Sequence, residues 1–159
     1  MVKRIFLALI SLIVILSSVS CGEPKYKHCE LVIPLDSDFK ETENENFDAT
    51  FTNGETIVAI VRISFVAAYS EGIPETLTPS EFGKFWLKKC ARDAELINED
   101  GISYSTYTEE QNGREYFYLE SFLRSHSAYF VVLFATESSN KEEGRAEFLS
   151  YTKGIYFVE

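Results

Sequence analysis

The sequence predicts an α+β fold: a largely antiparallel sheet covered by helices on both faces, a three-layer α/β/α sandwich. Three observations predict it. Strand-like runs are joined by Asn-Gly dipeptides, which favour antiparallel hairpins. The longest runs are apolar on both faces, so both faces need cover. Two other segments carry helical periodicity with start and stop signals. The 159 residues suffice for one domain, and 45% apolar content with only 8 Gly and 4 Pro marks a globular chain.

In chain order, "CELVIPL" is a short strand bounded by Pro34, and "DSDFKETENENFD" is polar and acidic. "FDATFTNGETIVAIVRISFV" is the clearest hairpin, with Asn53-Gly54 expected as a type I′ turn in which both residues have positive φ. Its second run sets Ile57, Ala59, Val61, Ile63 and Phe65 on one face and Val58, Ile60, Arg62 and Ser64 on the other. Arg62 is the one interior charge. Snorkelling at a sheet end, pairing with Glu120 and lining a small pocket are its open readings. "TPSEFGKFWLKKCARDAEL" is a helix with Thr78 as N-cap, Pro79 at the first position and Glu81 completing a capping box. Phe82, Phe85, Trp86 and Cys90 form its apolar stripe.

Three strands follow. "GISYSTYTEE" turns through Gln111-Asn112-Gly113 into "REYFYLESFL", which turns near Ser125-His126 into "AYFVVLFAT". A second helix is expected from Ser139, with Glu142 as a capping-box partner and Gly154 as its C-terminal cap. "IYFV" closes the chain as a strand. Tyr104, Tyr107, Tyr116, Phe117, Tyr118, Tyr129 and Phe130 are expected to be mostly core, any tyrosine left outside serving as contact surface.

The N-terminus reads as an export signal over residues 1–20. Lys3 and Arg4 precede an apolar stretch from Ile5 to Leu16, too short to span a bilayer. Ser18-Val19-Ser20-Cys21 resembles the bacterial lipobox, departing from its commonest form at Ser18. That resemblance implies lipid attachment at Cys21, with residues 21–28 as a short membrane tether and 29–159 as the globular domain. The competing reading is a secreted protein whose Cys21 pairs with another cysteine. With Cys21 lipidated, Cys29 and Cys90 remain. Either they form a disulfide, contributing roughly 4 kcal/mol by loop closure, or Cys90 is simply core.

Lys3 and Arg4 account for two of the 15 basic residues and none of the 25 acidic ones, so the chain from Cys21 onward carries −12. Phosphate backbones would repel it, which excludes nucleic acid as a partner and favours a protein with a basic face. His28 and His126 belong to no metal-ligand spacing, and no phosphate loop or nucleophile elbow is present in the sequence. The spacing in "DSDFKETENEN" is not that of an EF-hand loop, so an acidic surface loop is expected. No catalytic residues, metal ligands or cofactors are expected.

In order and pattern, "DSDFKE", "SEFGKFWLKKC", "NGREYFYLESF", "AYFVVLFAT" and "EFLSYTKGIYF" resemble the PsbP-like and Mog-like superfamily. That resemblance implies the sandwich fold and a non-catalytic module that docks on larger assemblies, with no site motif to carry over. The expectation is therefore a lipid-anchored cell-envelope protein that docks on another exported or membrane protein. The alternative is a small-ligand or metal-binding envelope lipoprotein.

Overall fold

The computed structural model describes residues 26–159. Residues 1–25, Cys21 among them, lie outside the described residues. The described residues begin with three short strands, β1 (Tyr26–His28), β2 (Leu31–Ile33) and β3 (Lys40–Thr42). Strands β4 (Ala49–Thr52) and β5 (Ile57–Ser64) follow, then helices α1 (Phe65–Ser70) and α2 (Pro79–Lys89). Next come β6 (Leu96–Glu99), β7 (Ile102–Gln111), β8 (Arg114–Arg124) and β9 (Ala128–Glu137). A 3-10 turn at Ser138–Asn140 leads into α3 (Lys141–Gly154), and β10 (Tyr156–Phe157) ends the fold.

The strands form two antiparallel sheets where the sequence suggested one. The larger has the order β3-β4-β5-β9-β8-β7-β6, and the smaller the order β1-β2-β10. Strand β9 lies at the centre of the larger sheet with nine of its ten residues buried, which is why "AYFVVLFAT" is apolar on both faces. Its alternation sorts the core. Phe130, Val132 and Phe134 pack with Phe148 and Tyr151 of α3 and with Leu31 and Ile33 of β2. Tyr129 and Val131 point the other way and pack with Phe82 and Leu87 of α2 and Ala68 of α1. Farther along that second face, Leu133 and Ala135 lie with Ala59 and Tyr118.

The turns follow local chemistry, with corrections to the sequence reading. Asn112-Gly113 is the two-residue turn expected, at φ of 53° and 77°, joining Gln111 to Arg114. Asp100-Gly101 makes a second one, at 51° and 81°. Asn53-Gly54 does not: a four-residue loop separates Thr52 from Ile57, and only Gly54 has positive φ. There the Asn53 side-chain oxygen accepts from the amides of Glu55 and Thr56 at 3.0 and 2.8 Å, an alternative that Asn offers the backbone. Three strands and a helix (β1, β3, β6 and α1) were not anticipated, and β1 takes Tyr26–His28 from the expected tether.

Both long helices are shifted from expectation at one end. The capping box of α2 is present, with the Thr78 hydroxyl accepting from the Glu81 amide and the Glu81 carboxylate accepting from the Thr78 amide at 2.9 Å. The helix stops at Lys89 because Ala91 turns left-handed at φ 51°. The Ala91 and Arg92 amides then bond back to the carbonyls of Lys88 and Leu87, a Schellman closure with Ala where Gly is usual. The capping box expected for α3 is absent: its N-cap is Asn140, without a side-chain cap.

Gly83 brings α2 close to the sheet. A Cβ there would lie 2.6 Å from a Phe122 ring carbon and 2.8 Å from a Leu96 methyl. Gly83→Ala is expected to destabilise the protein by about 1–3 kcal/mol, measured as a lower urea midpoint with unchanged m-value.

Candidate functional site

The strongest chemistry in the described residues is a buried charge cluster below the end of α2. Glu120 on β8 stands directly opposite Ser105 on β7 and Leu133 on β9. The sheet's pleat sends these three side chains to the α2 side. The Schellman closure reverses the chain at Ala91 and places Arg92 against this row. Glu120 is 1% exposed, Arg92 is 8% exposed in its side chain, and their closest approach is 3.6 Å.

The cluster is layered. The Arg92 guanidinium lies 3.9 Å from the Tyr107 ring centroid, and Tyr107 stacks on Tyr118 at 5.0 Å and 10°. The Tyr107 hydroxyl donates to Glu120 at 3.3 Å, and the Gln111 amide donates to the Tyr118 hydroxyl at 2.7 Å. Toward solvent, Arg92 also donates to Glu109 at 3.2 Å. One guanidinium therefore bridges a buried and a half-exposed carboxylate. The second Glu120 oxygen and the Ser105 hydroxyl, both buried, have no hydrogen-bond partner.

Burial pushes Glu120 up from the ordinary carboxylate value to about 7, with Arg92 and the Tyr107 hydroxyl opposing the rise and Glu109 adding to it. The Cys90 thiol rises to about 11, first through burial and then through Glu120, so it stays protonated. Tyr107 is raised strongly by burial, then by Glu120.

A second polar cluster closes the sheet end. Glu30, in the β1–β2 turn, accepts from Arg62 Nε at 3.2 Å and Nη2 at 3.4 Å. It also accepts from the Ser125 hydroxyl at 2.8 Å and from the Ser127 hydroxyl. Burial alone would raise its pKa; the hydrogen bonds from Ser127, Arg62, its own backbone and Ser125 outweigh that and hold it at about 2. A shallow cleft of about 290 Å³ beside it is lined by Lys27, Cys29, His126 and Ser127.

The structure relocates several sequence-predicted residues. Arg62 finds a carboxylate, but it is Glu30; Glu120 is taken by Arg92. Cys29 and Cys90 are both free, so the pairing considered from sequence is absent. Cys29 is exposed in the β1–β2 turn on the small sheet, whereas Cys90 caps α2. His28, expected in the tether, and Cys29, expected to open the first strand, come together at 3.6 Å, with Cys29 turning left-handed at φ 51°. Among the described residues no His, Cys, Asp and Glu grouping is arranged to hold a metal, and no helix is long and apolar enough to cross a membrane. Of the aromatics expected in the core, Tyr104, Phe117, Tyr118, Tyr129 and Phe130 are buried, whereas Tyr107 and Tyr116 are half-buried. Sequence reasoning missed Arg92: it follows a helix stop, and only the Ala91 turn carries it to Glu120.

No family model matches the chain, and no curated protein matches it either. Solved structures do. A 1.50 Å crystal structure of a Bacteroides thetaiotaomicron VPI-5482 protein aligns with TM-score 0.57 and 13% identity, over 87% of this chain and 50% of that one. This chain thus spans about half the length of that protein. The solution structure of the cyanobacterial PsbP protein CyanoP, from Synechocystis sp. PCC 6803, aligns with TM-score 0.51 and 11% identity, over 88% of this chain and 98% of that one. The fold is PsbP-like. LpqN, involved in cell envelope biogenesis of Mycobacterium tuberculosis, aligns with TM-score 0.49 and 9% identity, over 81% of this chain and 83% of its own.

Stability should carry the mark of both carboxylates. Glu120 has a raised folded pKa, so its contribution is full below about 4.5 and is lost as pH rises through about 7. Glu30 is depressed, so its contribution is present above about 4.5 and is lost as pH falls toward about 2. Urea titrations from pH 5 to 8 are expected to show wild-type stability falling by up to about 3 kcal/mol, and Glu120→Gln should remove most of that slope.

Proposed function

We propose that the chain is a non-catalytic, lipid-anchored cell-envelope protein that docks through its acidic surface on an exported or membrane protein with a basic face. The observation that carries this reading is charge: −12 from Cys21 onward. Along the edge of the larger sheet, exposed Glu41, Glu43, Glu45 and Asp48 line a concavity of about 590 Å³. Carboxylates so placed steer a basic partner and set its orientation. The lipid anchor is supported by the lipobox-like Ser18-Val19-Ser20-Cys21 after a short apolar stretch. Two or more acyl chains would hold the domain stably at a bilayer, where one alone binds marginally. The non-catalytic reading is supported by the strongest acid–base candidate, Glu120, being sealed from solvent at 1% exposure.

A second reading, a small-ligand-binding envelope protein, is favoured by the unpartnered Glu120 oxygen and Ser105 hydroxyl beneath α2. A rise in melting temperature with calcium or with members of a metabolite panel would support it over docking.

Intact mass and membrane fractionation from the native host, beside Cys21→Ala, test the anchor. Acyl mass on Cys21 and release of the variant into the soluble fraction are the expected results. A partner identified by crosslinking at the membrane should, in the uncrosslinked complex, bind about fivefold or more weakly when ionic strength is raised tenfold. A salt-insensitive complex would remove the basic-face docking.

A further inference from the structure

Of the three α-helices among the described residues, α1 alone is built without a charged residue, "FVAAYS". Two of its large side chains face water: Val66 is 82% exposed and Tyr69 is 81% exposed. Three residues apart on a helix, they share one side of it. Their neighbours Ala67 and Ser70 are exposed too, so the outward face of α1 is uncharged on a strongly acidic protein.

The helix itself is pinned. The Ser64 hydroxyl caps the Ala67 amide at 3.2 Å, Ala68 is fully buried, and the Ile73 amide bonds back to Ala68 at 2.9 Å. Phe65 meets Tyr129 edge-on at 5.1 Å and lies beneath the Arg124 guanidinium at the same distance. Valine and tyrosine are thus displayed on a rigid support, with a tyrosine ring whose polar tip suits an interface between water and hydrocarbon.

We infer that α1 rests on the lipid surface, with Val66 and Tyr69 inserted at the headgroup level, so that the domain has a fixed face toward the membrane. This rests on the lipid anchor proposed above. The tether geometry argues for lipid as the occupant. The Phe65 amide bonds to Ser127, and Ser127 and Arg62 bond to Glu30, so α1 and the β1–β2 turn lie at one end of the larger sheet. β1 spans only about 10 Å. Cys21, five residues before Tyr26, reaches at most about 18 Å from it. That span exceeds the length of β1, so Cys21 can return to the end of the larger sheet that carries α1. The loop before β4 lies at that end as well, since Asp48 bonds to the backbone of Ile60 and Arg62. Its carboxylates set the lipid chemistry: a zwitterionic surface in preference to an anionic one.

The test uses the full chain, processed in cells and reconstituted in phosphatidylcholine vesicles with brominated acyl chains. Trp86→Phe removes the single native indole, and Tyr69→Trp places one on α1. Intact mass of the same sample reports acylation of Cys21. Acylated protein whose emission is blue-shifted and quenched by half or more, with Val66→Glu cutting the quenching at least threefold, is the expected result. Acylated protein without quenching overturns the inference and leaves the anchor standing, as does shielding of the indole by a protein instead of lipid. Unacylated protein that is quenched when vesicles are added retires the anchor and upholds the lipid contact. Unacylated and unquenched protein overturns both.

Discussion

The carboxylate of Glu30 joins two sheets that share no backbone ladder. Its partners come from β5 through Arg62 and from the β8–β9 turn through Ser125 and Ser127, while its own carbonyl accepts the Val158 amide just after β10. Each alternative partner would be worth little alone at a surface. Here they converge on a side chain only 10% exposed, where an unmet charge would be costly, so the four segments are held in one register. The core beneath, from Leu31 and Ile33 to Phe130 and Phe148, depends on that register for its packing.

Glu120 shows the opposite solution to the same problem. Glu30 collects several donors and stays ionised. Glu120 receives one guanidinium at 3.6 Å and one phenol at 3.3 Å, and one of its oxygens receives nothing. At Glu120 burial outweighs its few partners, whereas at Glu30 the donors outweigh burial, so the two pKa values move in opposite directions. The Arg92–Tyr107–Tyr118 stack caps Ala59, Leu133 and Ala135, small or slim residues that leave room for the rings.

What could be read in the sequence follows interaction range. Alternation in β5 and β9, the Thr78–Glu81 box and the Asn112-Gly113 turn are decided within a few residues, and they appear as anticipated. Strands of three or four residues, β1, β3 and β6, carry too little periodicity to register; their partners decide them. The end of α2 turns on Ala91 adopting a conformation that its side chain disfavours, for which no local signal exists. Arg62, the interior charge named in advance, is paired, and Glu120, offered as one possible partner for it, is buried and paired elsewhere. Their partners, Glu30 and Arg92, come from turns whose placement only the tertiary fold determines.

The small sheet has a kinetic consequence. Its middle strand, β2, is flanked by β1 on one side and by β10 on the other, with Val32 paired to both Lys27 and Tyr156. The first and last strands of the described chain thus flank the same neighbour. A chain emerging from the ribosome or a translocation pore, N-terminus first, can zip β1 to β2 at once. It must leave the far edge of β2 and the apolar floor beneath it open until β10 arrives. Folding therefore ends in a single late closure spanning nearly the whole domain, slow to form by its sequence separation. Truncation of even the last few residues would leave that edge unpaired.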